Sequence, residues 1–486
     1  MKRLFKKLVT TNISTAYIFI LLGISTLMMA GYFSYAWFTV QGVQKYSVVT
    51  GNLYGTVAIG TNSVTIAGQG VLTYTPTTDS DTITLTVTNT NDRTVKNSIY
   101  YYNLSDSTIQ IGYTSDSPTI PSTTGVSVNQ NKKLTYKIKI NNAKGKQIKI
   151  GSSMGLNNSN LTLPSGTIAF SLLSEPSASE TLIAKANPET LDYNTATDEQ
   201  KNQMWAFTHE ATEQLKATTD YRYIGANPNN YVKFNDELWR IIGVFDVDDG
   251  TGKIGKRMKI IRNESIGGYS WDYTSSGSYT NEWSTSTLKT LLNSGAYYNR
   301  TTGSYYNGGP NASSVDFTST GLTDGTKAMI GDAKWYLGGS STYNDVTPSM
   351  FYIRERGTDV YNSSRSTNWA GKVGLMYPSD YGYATSGGSS KNRASCLAEK
   401  LYNWTDNDYS DCKNNDWLLD TENYYQWTMS PRTAFSDHVF FVYRSGSVID
   451  NFDAMCTFES RPVVHLKSTI KITGGTGSFT DPFIIK

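Results

Sequence analysis

Five aspartates, Asp406, Asp408, Asp411, Asp416 and Asp420, crowd the stretch "YNWTDNDYSDCKNNDWLLD", and Trp404 and Trp417 stand among them. Carboxylate oxygens are the hard ligands that Ca²⁺ prefers, and Asp406 and Asp408 are the candidates to hold such an ion. The faces of Trp404 and Trp417 are large and rigid enough to stack on a sugar ring. The same composition also describes a solvated acidic loop with its tryptophans packed underneath, and residue types alone leave both readings open. A second acidic run, Asp246-Val247-Asp248-Asp249-Gly250, fails as a calcium loop. Glycine occupies the third ligand position and no glutamate follows at the required spacing, so this run reads as a hairpin turn.

Other chemistries leave weaker marks. The chain contains no H-E-x-x-H and no phosphate-binding glycine loop ending in Lys-Ser/Thr. Three histidines argue against a His-rich metal site. A glycosidase needs only two carboxylates and many are present, but nothing singles out a pair. No catalytic residue is therefore assigned. Of the three cysteines, Cys396 and Cys412 would close a loop of about 15 residues, for which chain entropy gives about 3 kcal/mol. This predicts a Cys396–Cys412 disulfide with Cys456 buried and free.

The elements that must carry these residues follow from composition and periodicity. Hydrophobic residues are 38% and charged residues 17% of 486, both low for an intracellular enzyme. Ser, Thr, Asn and Gly make up the difference, with 34 Tyr, as in polar-faced β structure. A formal net charge of +2 offers nothing to nucleic acid. Lys2, Arg3, Lys6 and Lys7 precede an uncharged run, Ala16 to Val40, long enough to cross a hydrocarbon core of about 30 Å as a helix. The basic flank stays cytoplasmic, which places the rest of the chain outside. Residues 1–45 are thus expected to be a basic flank and transmembrane or signal-anchor helix. The alternative is secretion after cleavage near Ala36, where Ser34 and Ala36 have signal-peptidase spacing.

Residues 46–175 show period-two alternation. In "DTITLTVTN" Ile83, Leu85 and Val87 share one face, and "KLTYKIKIN" repeats the pattern with Leu134, Tyr136, Ile138 and Ile140. Short alternating strands separated by turn residues predict an immunoglobulin-like antiparallel β-sandwich. Residues 176–220 read as a linker with a short helix. That helix starts at the capping box Thr197–Gln200, continues at helical spacing through Met204, Phe207, Ala211 and Leu215, and carries a packed Trp205 and a solvated His209. Residues 221–486 open with a hairpin at Asn235-Asp236. A helix follows near Ser284–Ser286 with Leu288, Leu291 and Leu292 inward. Long Gly/Ser/Tyr/Asn-rich loops come next, pinned by aromatic residues, and then a hairpin at Arg444-Ser445-Gly446 and terminal strands.

Two resemblances sharpen this outline. "GYFSYAWFT" resembles the signal segments of bacterial matrix-fibre proteins of the TasA and camelysin kind. "NNYVKFNDELWRIIGVF", "KVGLMYPSDYGYA", "NDWL", "WTMSP", "SRPVVHLKS" and "GGTGSFTDPFII", in that order, resemble a module of Gram-positive surface proteins spanning Tyr221 to Lys486. The architecture of that module is similar to the C-type-lectin-like α+β fold. "WTMSPRTAF", "VYRSGSV" and "SRPVV" resemble the closing part of formylglycine-generating enzymes. Cys396, Cys412 and Cys456 do not reproduce the reactive pair of those enzymes, so their chemistry is not carried over.

Together these features lead us to expect a mainly β cell-surface protein. It would have a membrane helix, a sandwich stalk and a non-catalytic, adhesin- or lectin-like C-terminal domain that binds an extracellular glycan or surface protein. The competing readings are an extracellular glycosidase-like hydrolase and a structural fibre subunit. If the orientation is as expected, protease added to intact cells removes Asn52 to Lys486 and spares Met1 to Lys7. Mass spectrometry of the retained peptides checks this, and a protected C-terminal half would reverse the topology.

Overall fold

The computed structural model describes residues 21–29 and 53–486, apart from 61, 68, 107, 174, 175 and 214. Its regular structure is mainly β, arranged in several antiparallel sheets. Most of the expected membrane segment Ala16–Val40 lies outside the described residues. Residues 21–29 of it are helical, with Leu21, Leu22, Leu27 and Met28 exposed. Among the described residues no helix is long and apolar enough to cross a membrane. The rest of the chain divides into two compact units, Met1–Ser174 and Glu175–Lys486.

Among its described residues the first unit holds ten strands: β1 (Tyr54–Ile59), β2 (Asn62–Ala67), β3 (Gln69–Tyr74), β4 (Ser80–Asn89), β5 (Val95–Tyr102), β6 (Gln110–Tyr113), β7 (Val126–Val128), β8 (Lys133–Asn141), β9 (Ile148–Leu156) and β10 (Thr167–Ala169). They form two sheets, ordered β2-β1-β4-β8-β6 and β10-β5-β9-β3, with β7 on β5. The two alternating segments read from the sequence are β4 and β8. They pair antiparallel with Ile83 opposite Ile138 and Leu85 opposite Tyr136. Because side chains alternate across a strand, this register buries Ile83, Leu85, Val87, Tyr136, Ile138 and Ile140 together. They share one core with Ile99, Ile148 and Ile150 from the second sheet. Polar contacts also lie inside the unit: the Tyr136 hydroxyl donates to Asn97 Oδ1 at 2.9 Å, and Asn97 Nδ2 donates to Ser152 Oγ at 2.7 Å.

The second unit begins earlier than expected. Residues 176–220 are not a linker. Ser177 caps a helix at Ala178–Ile183, whose Ala178 and Leu182 enter the core of the C-terminal half. The capping box at Thr197 and Gln200 forms, but its helix ends after Asp198–Lys201. The described residues between Met204 and Leu215 are not helical. Trp205–His209 is strand β11, paired with β12 (Thr218–Arg222). Five ladder positions outweigh an apolar spacing that fits a helix only loosely.

The hairpin at Asn235-Asp236 joins β13 (Tyr231–Phe234) to β14 (Glu237–Asp248). Both turn residues have φ near +60°, the conformation that a tight two-residue hairpin demands and Asn and Asp tolerate. β14 is the spine of the largest sheet and also pairs with β12 and with β15 (Ile254–Arg262). The sheet is extended by Val463–His465 beside β15 and closed by Phe483–Ile485, which lies parallel to β13. A second, five-stranded sheet includes Tyr425–Pro431 and Val439–Tyr443. The helix after Ser286 spans Thr287–Asn293, capped by the Ser286 hydroxyl, with Leu288, Leu291 and Leu292 buried. The region expected as long loops carries short helices at Asp324–Met329, Pro348–Arg356, Pro378–Ala384 and Arg393–Ala398. Many of its aromatic residues, among them Trp335, Tyr352, Tyr377 and Tyr381, are buried.

Cys396 and Cys412 are bridged, with Cα atoms 5.5 Å apart, and Cys456 is an unpaired, half-buried thiol. A C396A/C412A variant should lose about 3 kcal/mol of stability, the chain-entropy value for such a loop, in urea denaturation followed by tryptophan fluorescence. Alkylation of the unreduced, denatured protein should label one thiol per chain, at Cys456.

Candidate functional site

Charged residues inside an apolar strand must be answered by charge, and β12 and β15 place several such residues in the interior of the second unit. Asp220 and Arg222 sit two apart on β12 and so point the same way. His209 arrives from β11, its Nε2 2.9 Å from Asp220 Oδ2 and its ring stacked at 3.6 Å on Tyr352. Arg222 donates to Asp220 at 3.0 Å and to Asp380 at 3.2 Å. Its guanidinium lies 4.5 Å over the ring of Phe245. Asp380, at the N-terminal turn of the helix Pro378–Ala384, accepts from its own Tyr377 N–H at 2.9 Å and pairs with Lys259 of β15. Gly243 makes this possible: a Cβ there would meet the Tyr221 carbonyl at 2.1 Å, and only glycine lets β12 approach β14 beside Arg222.

Burial and pairing act against each other on these groups. Burial raises the Asp220 carboxyl, but Arg222 and then His209 overcome it and leave it at about 2. Burial also raises Asp380, and Lys259 and Arg222 hold it below the ordinary range. His209 is pushed down by burial, against the pull of Asp220. Glu355, fully buried and accepting the Ser379 N–H at 2.9 Å, is pushed up to about 7 by burial.

One edge of this network opens to solvent. Lys259, Arg356, Tyr377 and His465 floor a cavity of about 30 Å³, Phe245 and Tyr336 wall it, and Asp246, Asp248 and Lys334 form its rim. That space admits about two water-sized groups. His465 is buried and held well below its ordinary value by burial and then by Lys259, and its Nδ1 has no hydrogen-bond partner among the described residues. Arg356 stacks 3.4 Å over Tyr352, and its contact with Glu355 is a long 3.4 Å. With Glu355 raised to about 7, the Arg356 charge is only partly neutralised at neutral pH. A guanidinium so placed suits an oxygen-bearing anion.

The aromatic residues singled out from sequence lie elsewhere and are buried. Trp404 is 0% exposed and packs on Tyr381. Trp417 is 5% exposed, lies under the Arg240 guanidinium at 4.4 Å and donates to the Tyr223 carbonyl at 2.9 Å. Neither offers a face to a ligand, because the short helices around them close over their rings. The acidic loop divides into local structural roles. Asp411 accepts from the Ser390 and Lys391 N–H groups, Asp416 from Leu418, and Asp420 from Glu422 and Asn423. Asp406 and Asp408 are exposed and do not belong to the group of described side chains close enough to share an ion. His209, expected to be solvated, is buried and paired. The signal for the network was present in "TTDYRY" and "KRMKIIRN", where charges interrupt otherwise apolar strands.

Comparison with protein-family models, curated proteins and solved structures found no match for this chain.

Breaking a buried ion pair by removing one partner costs about 3–5 kcal/mol, so Asp220→Asn should destabilise the second unit by that order at pH 7. The folded carboxyl titrates at about 2, below the ordinary carboxylate range. Its contribution is therefore complete above about pH 4 and lost as pH falls towards 2. The gap between wild type and D220N should narrow over that window in urea titrations. All tryptophans but Trp37 lie in the second unit, so their fluorescence reports on it.

Proposed function

We propose that the chain is a bacterial cell-surface protein whose second unit is a non-catalytic recognition domain, with the cationic, tyrosine-walled cleft as its binding site. The ligand class is an acidic glycan that presents a carboxylate to Arg356 and Lys334 while its ring lies against Tyr336. One observation carries this reading: the Arg356 guanidinium lines the cleft with only a long 3.4 Å contact to Glu355, a carboxyl that burial pushes up to about 7. In the same reading the first unit is an immunoglobulin-like spacer, which its two antiparallel sheets on one core support. The second unit is C-type-lectin-like, supported by early and final strands that meet in one sheet. The uncharged N-terminal run anchors the chain in the membrane with both units outside.

An array of uronic- and sialic-acid-containing oligosaccharides, probed with the full-length protein, tests the proposal. Lys334 and Tyr336 are half-buried rim residues whose replacement should leave the fold intact. Losing a charge-assisted hydrogen bond costs about 1.5–3 kcal/mol, so K334E and Y336A should each weaken binding by about tenfold or more. Neutral glycans should not bind. Binding that survives both substitutions sinks this assignment of the site, and cleavage of any glycan on the array replaces recognition with hydrolysis.

A further inference from the structure

A second cluster lies in the same unit, on the loops that flank the strand Val439–Tyr443. Asp437, His438 and Asp453 each turn a ligating atom towards a common point, all within 4.8 Å of one another. His438 Nε2 is 3.0 Å from Asp453 Oδ1 and 3.9 Å from Asp437 Oδ1. All three residues are half-buried, which leaves one side of the cluster open to solvent.

The other ring nitrogen decides how this cluster reads. His438 Nδ1 lies 2.7 Å from the Asp450 carbonyl oxygen. A carbonyl only accepts, so Nδ1 carries the hydrogen, and the neutral imidazole then aims the Nε2 lone pair at two carboxylates. Lone pairs that face each other at 3.0 Å need a cation between them, either a proton or a metal ion. Among the described residues neither carboxylate has an ion-pair partner other than His438, with the Tyr279 hydroxyl 3.4 Å from Asp453. A carbonyl that fixes the far nitrogen of a ligating histidine is the usual outer-shell arrangement of metal sites. Zinc–ligand bonds of about 2.0–2.2 Å put neighbouring donors roughly 3–3.5 Å apart, between the two distances seen here.

The backbone holds the donors in place before any ion arrives. His438 and Asp453 form an antiparallel bridge, and Ala454 N–H donates to the Asp437 carbonyl at 2.7 Å. Asn281 Nδ2 donates to the carbonyls of Arg432, Phe435 and His438, which pins the loop from below. Phe435 stacks on the His438 ring at 4.6 Å and is itself 47% exposed.

We infer that Asp437, His438 and Asp453 bind a divalent transition ion of the zinc class, with water in the remaining coordination positions. An imidazole nitrogen with two carboxylates suits Zn²⁺ or Mn²⁺, whereas Ca²⁺ takes a larger set of oxygens. The site is independent of the cationic cleft and does not rest on the glycan reading.

Metal-stripped full-length protein titrated calorimetrically with ZnCl₂, MnCl₂ and CaCl₂ tests the assignment. One Zn²⁺ per chain should bind, and Ca²⁺ should bind far more weakly. His438→Ala and Asp453→Asn should each cost at least the roughly tenfold to hundredfold that losing even an outer-shell partner costs. Asp437→Asn keeps the side-chain size and tests the same ion should His438→Ala disturb the loop. Cys456→Ser should bind as wild type, and the cobalt-loaded protein should lack a thiolate charge-transfer band. Absence of Zn²⁺ binding, wild-type affinity in the Asp437 and Asp453 variants, loss of binding in Cys456→Ser, or Ca²⁺ affinity equal to that for Zn²⁺ overturns the proposal.

Discussion

Two positive charges, Arg222 and Lys259, sit in the interior of the second unit, and every neighbouring element is placed by the need to answer them. Asp380 neutralises both at once, so the helix Pro378–Ala384 cannot move relative to β12 or β15 without uncovering a charge. Asp220 completes the neutralisation and in turn fixes His209 on β11. An unmatched charge here costs several kcal/mol, whereas a displaced methyl group costs far less. The network therefore constrains geometry more sharply than the surrounding apolar contacts do. The first unit has a different design, in which the buried polar groups are amides and hydroxyls such as Asn97, Ser152 and Tyr136.

The cationic cleft is a by-product of this arrangement. Arg356 sits at the edge of the network, close enough to be held by Tyr352 but beyond reach of the carboxylates that satisfy Arg222 and Lys259. Glu355, its nearest acid, is too deeply buried to ionise readily. The Arg356 guanidinium is thus left lining the cleft with one reluctant acid beside it.

Where local chemistry decides structure, the sequence was legible. The alternation in β4 and β8, the left-handed pair Asn235-Asp236, the Ser286 cap with its leucine face and the Cys396–Cys412 spacing each depend on residues close in the chain. The parts that were not legible depend on partners far away. Nothing near Trp205–His209 shows that β12 will claim it as a strand. Nothing near Trp404 or Trp417 shows that Tyr381 and Arg240 will cover their rings, so aromatic residues that could have been a binding face are core. The aspartates around them hold turns by accepting backbone N–H bonds, a role that composition cannot tell from ion binding. The charged positions of β12 and β15 were visible as residues, but their partner Asp380 lies more than a hundred positions on and could not be matched to them in advance.

The last strand, Phe483–Ile485, lies parallel to β13 with Val232 opposite Phe483, and this pairing governs when the domain can form. A nascent chain reaches β13 some two hundred and fifty residues before it makes the strand that completes that edge of the sheet. Contacts of such sequence separation form late and slow folding. Until then the free edge of β13 exposes unpaired backbone groups, the usual starting point for wrong strand pairing. The second unit is therefore a structure that must be finished as a whole. A chain interrupted anywhere in its final segment is left with an open sheet, not with a shorter version of the same fold.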